Sequence, residues 1–457
     1  MKPDWKRIAF IFVLAAGLVT SVAADEWDDS WDDNGWDNGG WDNGGWDDGD
    51  WDDEGWDNDW TPGATGSTSL SGYLETTGLT VLPRIGKSGE VYAGLQNVLR
   101  LRGRFEPAPS LSVTVETEFI DRRGATDPAV RRGIIGLPDD PDGSDDGPQG
   151  NGTVPGSSTP ELVVDYLYGS AAFGPVDLRI GRQPLAWGTA YAFNPTDLMN
   201  PSSLADLAGL EPPGLTAVSA SLTLGQRWGL EGYLGFEDRS RNAGAVSELD
   251  RVENLPFGVR ARAFLGMWDL GLGLVRAAEY SGCVATSDYA VFEIAGALWD
   301  LLVYGESSIE LGANDWSVDK HTDLALGVQW DALDELSLQL EYHRRGGNAT
   351  DSAKYPPAER LRGELVGRDY LVGIGTLSLL DDNVGVILAA MNNLNDRSVV
   401  FLPEVTWRGV EDFELGLGAS VFLGPDGSEF NGRIDDDHLG DLDTGRPQVY
   451  ARMTWYF

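Results

Sequence analysis

The chain has 457 residues and a formal charge of −40, with 73 acidic residues against 33 basic. That balance excludes binding nucleic acid through its phosphates. A single cysteine, Cys283, excludes an internal disulfide framework.

The chain opens on Lys2, Lys6 and Arg7, an apolar run from Ile8 to Val19, and the small residues Val22-Ala23-Ala24. This predicts a secretory signal peptide over 1–24. The run is too short to cross a bilayer as a helix, and no Cys follows the cleavage site as a lipoprotein would need. No later stretch supplies about 18 unbroken apolar residues. An exported chain without a membrane helix is either secreted or a membrane barrel.

Residues 25–60 repeat Trp and Asp, with Trp27, Trp31, Trp36, Trp41, Trp46, Trp51, Trp56 and Trp60 spaced mostly by five. A period of five matches neither a helix face nor a strand face. The tract holds 16 acidic residues and no basic one. Like charges this dense repel, so the expectation is a disordered periplasmic tail. Its indoles could anchor a periplasmic partner, and its Asp and Asn oxygens could collect Ca²⁺ weakly. Residues 61–69, rich in Gly, Ser and Thr, read as a linker to a barrel over 70–457.

From residue 70 the chain reads as a meander of about 18 strands. They begin near Leu70, Val91, Ser110, Glu161, Val176, Leu215, Arg227, Pro256, Trp268, Asp288, Leu301, His321, Glu335, Arg368, Val384, Ser398, Glu411 and Arg446. Leu111, Val113, Val115 and Phe119 alternate with Ser112, Thr114, Glu116 and Glu118. Even-numbered connections are short and several odd ones are long, namely 122–160, 184–214, 238–255, 346–366 and 424–445. Short turns on one rim and long loops on the other mark an outer-membrane barrel. The last strand puts Val449, Ala451, Met453, Trp455 and Phe457 on one face and Tyr450, Arg452, Thr454 and Tyr456 on the other. This end resembles the C-terminal signal of Gram-negative outer-membrane barrels, which typically close on Phe. The expected fold is all-β: an antiparallel transmembrane β-barrel of 16–18 strands in the cell outer membrane, in contact with lipid and lipopolysaccharide.

A barrel of this size leaves an aqueous lumen unless loops fill it. Arg100, Arg102 and Arg104 recur at strand period, Glu116 and Glu118 lie on the next strand, and Arg260 and Arg262 repeat the pattern on the eighth. Arg at the lipid midplane costs roughly 2–4 kcal/mol, so these charges belong on the lumen side. Either they neutralise one another across strands or they form a wall that selects solutes.

The segment Ile180-Gly181-Arg182-Gln183-Pro184-Leu185-Ala186-Trp187-Gly188 is followed by Asn194-Pro195-Thr196-Asp197. It resembles a group of largely uncharacterised Gram-negative outer-membrane barrels that share Gly-Arg-Gln, Trp-Gly and Asn-Pro-x-Asp after one strand. The resemblance implies a porin-like barrel and carries no substrate. Pro184 ends the strand because it cannot donate to a ladder. The residues after it are too apolar for a wholly solvated loop, and Ser202 or Ser203 could cap a short helix through Leu210. The loop 184–214 can therefore fold inward and narrow the pore, with Arg182, Trp187, Asn194 and Asp197 as constriction candidates. The other reading has Trp187 and the Asn-Pro turns bracing the rim.

His321, His343 and His438 show no metal spacing, and no catalytic motif is present. The acidic loops lack the terminal Glu of a calcium loop, leaving weak divalent binding at most. The expected function is a porin-like channel for passive passage of small solutes, not an enzyme and without a cofactor. The alternative is a plugged scaffold or binding barrel that engages a partner through its outer loops or the Trp-Asp tail.

Overall fold

The computed structural model describes residues 66–135, 160–199, 214–236, 254–280, 284–313, 316–357, 360, 364–436 and 440–457. The signal peptide and the Trp-Asp tract lie outside them. Twenty strands follow one another: β1 (Ser67–Val81), β2 (Tyr92–Ala108), β3 (Leu111–Gly124), β4 (Glu161–Phe173), β5 (Val176–Gln183), β6 (Leu215–Leu224), β7 (Trp228–Gly235), β8 (Phe257–Leu265), β9 (Trp268–Tyr280), β10 (Val284–Leu298), β11 (Leu301–Leu311), β12 (Thr322–Leu333), β13 (Leu336–Arg344), β14 (Asp369–Leu379), β15 (Val384–Asn393), β16 (Ser398–Val410), β17 (Phe413–Leu423), β18 (Arg433–Asp436), β19 (Gly440–Asp443) and β20 (Gln448–Tyr456). Eighteen form one antiparallel sheet, each paired with its neighbours in the chain. The sheet closes where β20 pairs with both β17 and β1. The pair β18–β19 is a separate hairpin in the last long loop.

Closure removes every sheet edge, the one way a β-structure can satisfy its backbone in lipid. At the seam, Phe457 and Gly72 exchange backbone hydrogen bonds of 2.9 Å in both directions. Gly72 leaves room for the terminal ring, since a Cβ there would meet Phe457 at 3.1 Å. The first strand begins at Ser67, inside the stretch read as linker, because that stretch pairs with Glu106, Phe105 and Arg104 on β2.

One rim carries only connections of two to four residues, and the other carries all the long ones. The alternation expected from sequence fixes the two faces. Leu70, Leu95, Val115, Ile180, Leu272, Leu417 and Met453 are exposed on the outside, while Glu116, Glu293, Glu306 and Glu341 are buried inside. Trp228, Trp299, Trp330, Trp407 and Trp455 lie outward near the short-turn rim, as in the aromatic girdle of a membrane barrel. Among the described residues no helix is long and apolar enough to cross a membrane.

The inner wall is not uniformly polar. Tyr370, Val372 and Ile374 of β14, Ile387, Ala389 and Met391 of β15 and Val400 of β16 are all buried. Their neighbours Leu371, Val386 and Val399 face outward by strand alternation. These strands are apolar on both faces, so something must cover the inner one.

Candidate functional site

The cover is the chain that follows β5. Gln183, the last residue of β5, is fully buried; its side-chain amide donates to the Ala217 carbonyl at 2.8 Å and accepts from the Ser219 hydroxyl at 2.6 Å. Pro184 then ends the ladder, and the chain turns into the barrel. Trp187 is buried edge-on against Tyr233 of β7, with ring centroids 4.8 Å apart, and the Arg260 guanidinium lies 4.6 Å over its ring. Gly258 of β8 makes this possible: a Cβ there would meet Tyr233 at 2.6 Å and Trp187 at 2.8 Å.

Beyond Trp187 the backbone runs along two carboxylates. Glu306 of β11 accepts from the Thr189 amide at 2.7 Å and from the Thr196 hydroxyl at 3.2 Å. Glu341 of β13 accepts from the amides of Tyr191, Ala192 and Phe193 at 2.9, 3.2 and 3.2 Å, and from the Tyr304 hydroxyl at 3.0 Å. Two wall residues thus satisfy amides that a loop in water would leave to solvent. Phe193 finally joins Tyr370, Val372, Ile374, Met391 and Val400 in one core cluster. The loop hugs the inner wall from β7 to β16, so the inward fold expected for 184–214 is present over its described part. Residues 200–213, with the expected Ser202/Ser203-capped helix, lie outside the described residues.

The arginines expected in the lumen are paired. Arg100 meets Glu118 at 2.5 Å, Glu116 at 3.1 Å and Asp165 at 3.7 Å, and Arg102 meets Glu116. The ladder register sets Arg100 beside Glu118 and Arg102 beside Glu116. Arg104 pairs with Glu106 at 2.7 Å near the short-turn rim. Arg260 bonds both Glu231 and Glu293, the latter at 2.8 Å, and Arg262 pairs with Asp269. Water reaches these side chains unequally. Arg102 is 40% exposed and Arg104 58%, whereas Arg260 is 5% and Arg262 9%. Arg260 and Arg262 are therefore structural posts beneath the inward loop rather than part of an open charged wall. Arg260→Ala would leave Glu293 without its buried partner, Glu231 with Arg262 alone at 3.7 Å, and Trp187 without its cover. A loss of about 3–5 kcal/mol is expected, read as a fall in the temperature at which the folded band is lost in semi-native electrophoresis.

The constriction candidates divide. Trp187, Asn194 and Asp197 all lie in the inward loop and are buried. The Asp197 amide donates to the Asn194 carbonyl at 3.0 Å, closing the Asn-Pro turn. Arg182 does not belong with them. It pairs in register with the exposed Leu167, and its Nε donates to the Val164 carbonyl at 3.0 Å. Alternation puts it on the outward face of the long-loop rim, opposite in sense to Gln183. Its motif associates it with the loop, but its strand parity turns it away.

Glu306 and Glu341 do not stand out in the sequence by any motif. Their signal is a quieter one: each is an isolated carboxylate on the lumen side of a strand, between Tyr304 and Ser308 and between Gln339 and His343. On β20, Arg452 likewise binds Glu404 at 2.7 Å and Glu414 at 3.3 Å.

No family model matches the chain, and no curated protein matches it. Solved structures do match it. OccAB1 of Acinetobacter baumannii is similar at 13% identity over 87% of this chain and 98% of its own, with a TM-score of 0.50. OccK9 (OpdG) of Pseudomonas aeruginosa is similar at 11% identity over 86% of this chain and 98% of its own, also with a TM-score of 0.50. The likeness is one of fold. That fold, a closed barrel with an outward apolar belt, is an outer-membrane protein's.

Proposed function

We propose that the chain is a porin-like outer-membrane channel for passive passage of small solutes, its selectivity set by lumen Arg and Glu and by the inward loop 184–214. One observation carries this reading. The described part of the loop lines the β7–β16 side, whereas on β2 the side chains of Arg102 and Arg104 remain open to water. A lumen narrowed on one side and charged on the other orients dipolar and ionic solutes. Purified, refolded protein in a planar bilayer should give discrete conductance steps. Arg102→Glu reverses one water-exposed lumen charge and should shift the ion preference toward cations. A correctly folded barrel without steps would replace the channel with the plugged scaffold. That second reading draws on the outer loops, since Leu365 and Phe430 pack into the same cluster as Phe193.

The Trp-Asp tract is proposed as a periplasmic extension dispensable for folding. The long-loop rim then faces outside. In the last long loop Asp426 is exposed, whereas its neighbour Ser428 is buried. A tag at Asp426 should be reachable on intact cells and one beside Asp32 should not; the opposite labelling would invert the topology. Replacing the eight tryptophans by Ala should abolish any periplasmic co-purification while leaving the charge intact.

A further inference from the structure

Among the described arginines on the inner face of the barrel, Arg179 stands apart. Arg100, Arg102, Arg104, Arg122, Arg260, Arg262, Arg408 and Arg452 each bond a carboxylate. Arg179 makes no such pair with any described residue and rests over the Tyr168 ring at 5.7 Å. Two residues earlier on the same face, Asp177 makes no ion pair or hydrogen bond with any described residue. Both line a recess of about 280 Å³ beneath the root of the inward loop, together with Gln183, Ser219, Ser221 and Glu231. The recess lies toward the short-turn rim, where β5 begins and β6 ends.

Among the described residues, an acid and a base without ion-pair partners in one recess are an uncommon choice in this wall, where the other inward strand arginines are matched. Neighbouring same-face positions on a strand are about 6.6–7 Å apart along the chain. Arg179 is long and Asp177 short, so the two heads can address opposite charges a few ångströms apart on one small molecule. The cation–π contact with Tyr168 leaves the guanidinium charge intact. A sugar would want an open aromatic face, and Trp187, the recess's indole, offers none: it is buried, with Arg260 across its ring. Resting on the channel reading above, we propose that this recess is a subsite for small zwitterions of the α-amino-acid type, the carboxylate taken by Arg179 and the ammonium by Asp177.

The test uses the full mature chain in proteoliposomes, with L-alanine, propionate and glycerol as probes. Wild-type protein should show saturable L-alanine influx. Arg179→Gln should raise the half-saturation concentration for both L-alanine and propionate by about tenfold or more, the loss expected for one charge-assisted bond. Asp177→Asn should raise it for L-alanine alone. Glycerol influx should be unchanged in both variants. Neither side chain is among the buried set, so both variants should keep the folded electrophoretic band. L-alanine influx that never saturates, or that neither substitution alters, overturns the subsite while bilayer conductance leaves the channel standing. Absence of both conductance and influx overturns the channel and the subsite together.

Discussion

Gly188→Val should release the inward loop and raise single-channel conductance. Gly188 has φ of +124°, where a β-branched side chain is strained. Forcing a non-glycine residue there costs about 1–3 kcal/mol. The contacts add to it: a Cβ at this position would lie 2.7 Å from Glu306 Oε2 and 2.8 Å from the Asn194 side-chain carbon. Neither neighbour can retreat. Glu306 is held by the Thr189 amide at 2.7 Å, and Asn194 is buried in its turn. The variant therefore loses the Glu306 anchor first. Glu341 and the Phe193 cluster hold the rest of the loop, so undocking should be partial, with flickering between two conductance levels and new protease cleavage between Trp187 and Phe193. Strand pairing is untouched and the barrel should still migrate as a folded band. Stable wild-type conductance from a folded Gly188→Val barrel would mean that the loop does not bound the pore. This variant tests the loop more cleanly than deletion of 189–209, which would uncover Val372, Met391 and Val400 and strip Glu306 and Glu341 of the donors that the loop supplies.

The barrel itself was legible because its physics repeats. Each strand must show lipid one face and the lumen the other, so a period of two recurs from β1 to β20 and every start lies within four residues of its expected place. Turn chemistry supplies the punctuation. Gly266 and Trp299, with φ of 69° and 57°, sit in two-residue turns, whose handedness matches the twist of the strands. What escaped the pattern is short and irregular: the β18–β19 hairpin and the helix Pro128–Ile135 lie within long loops that alternation does not describe.

The site was legible in outline only. Pro184 and the apolar composition after it disclose that the loop goes inside, but not where it docks. The docking address was written elsewhere, in strands β14 to β16, where runs such as Val384–Met391 are apolar at successive positions. A strand apolar on both faces is buried on both, and inside a barrel only a loop can do the burying. The charge pairs followed a similar course. Strand period put Arg260 and Arg262 on the lumen side, yet only the three-dimensional fold lays Trp187 over Arg260. Arg182 shows the opposite error, since a motif shared by neighbours in sequence is split by strand parity into Gln183 facing in and Arg182 facing out.

The outer loops should loosen as pH rises through neutrality, with Glu429 as the sensor. Glu429 lies in the connection between β17 and β18 and is buried. Three donors reach its carboxylate: the Val366 amide at 3.0 Å, the Tyr370 hydroxyl at 2.8 Å and the Asn393 side-chain amide at 2.6 Å. Its own amide donates to Asp396 at 2.7 Å. The connections after β13, β15 and β17 thus converge on one acid. Burial pushes its pKa from the ordinary value of 4.5 to about 7, against the three hydrogen bonds and with help from the charge of Asp396. The folded loops hold the proton more tightly than the unfolded ones, so the stabilisation is complete below about 4.5 and is lost as pH climbs through about 7. Each tenfold gain in proton affinity is worth about 1.36 kcal/mol, so the rise to about 7 corresponds to about 3 kcal/mol of loop stability. Limited proteolysis of the 346–366 and 424–447 segments on intact cells should speed up between about pH 5 and pH 8, the range that brackets the folded-state value, with the barrel resistant throughout. Glu429→Gln, which carries amide hydrogens at every pH, should hold one rate across that range. The same pH dependence in the Gln variant would rule out Glu429 as the sensor.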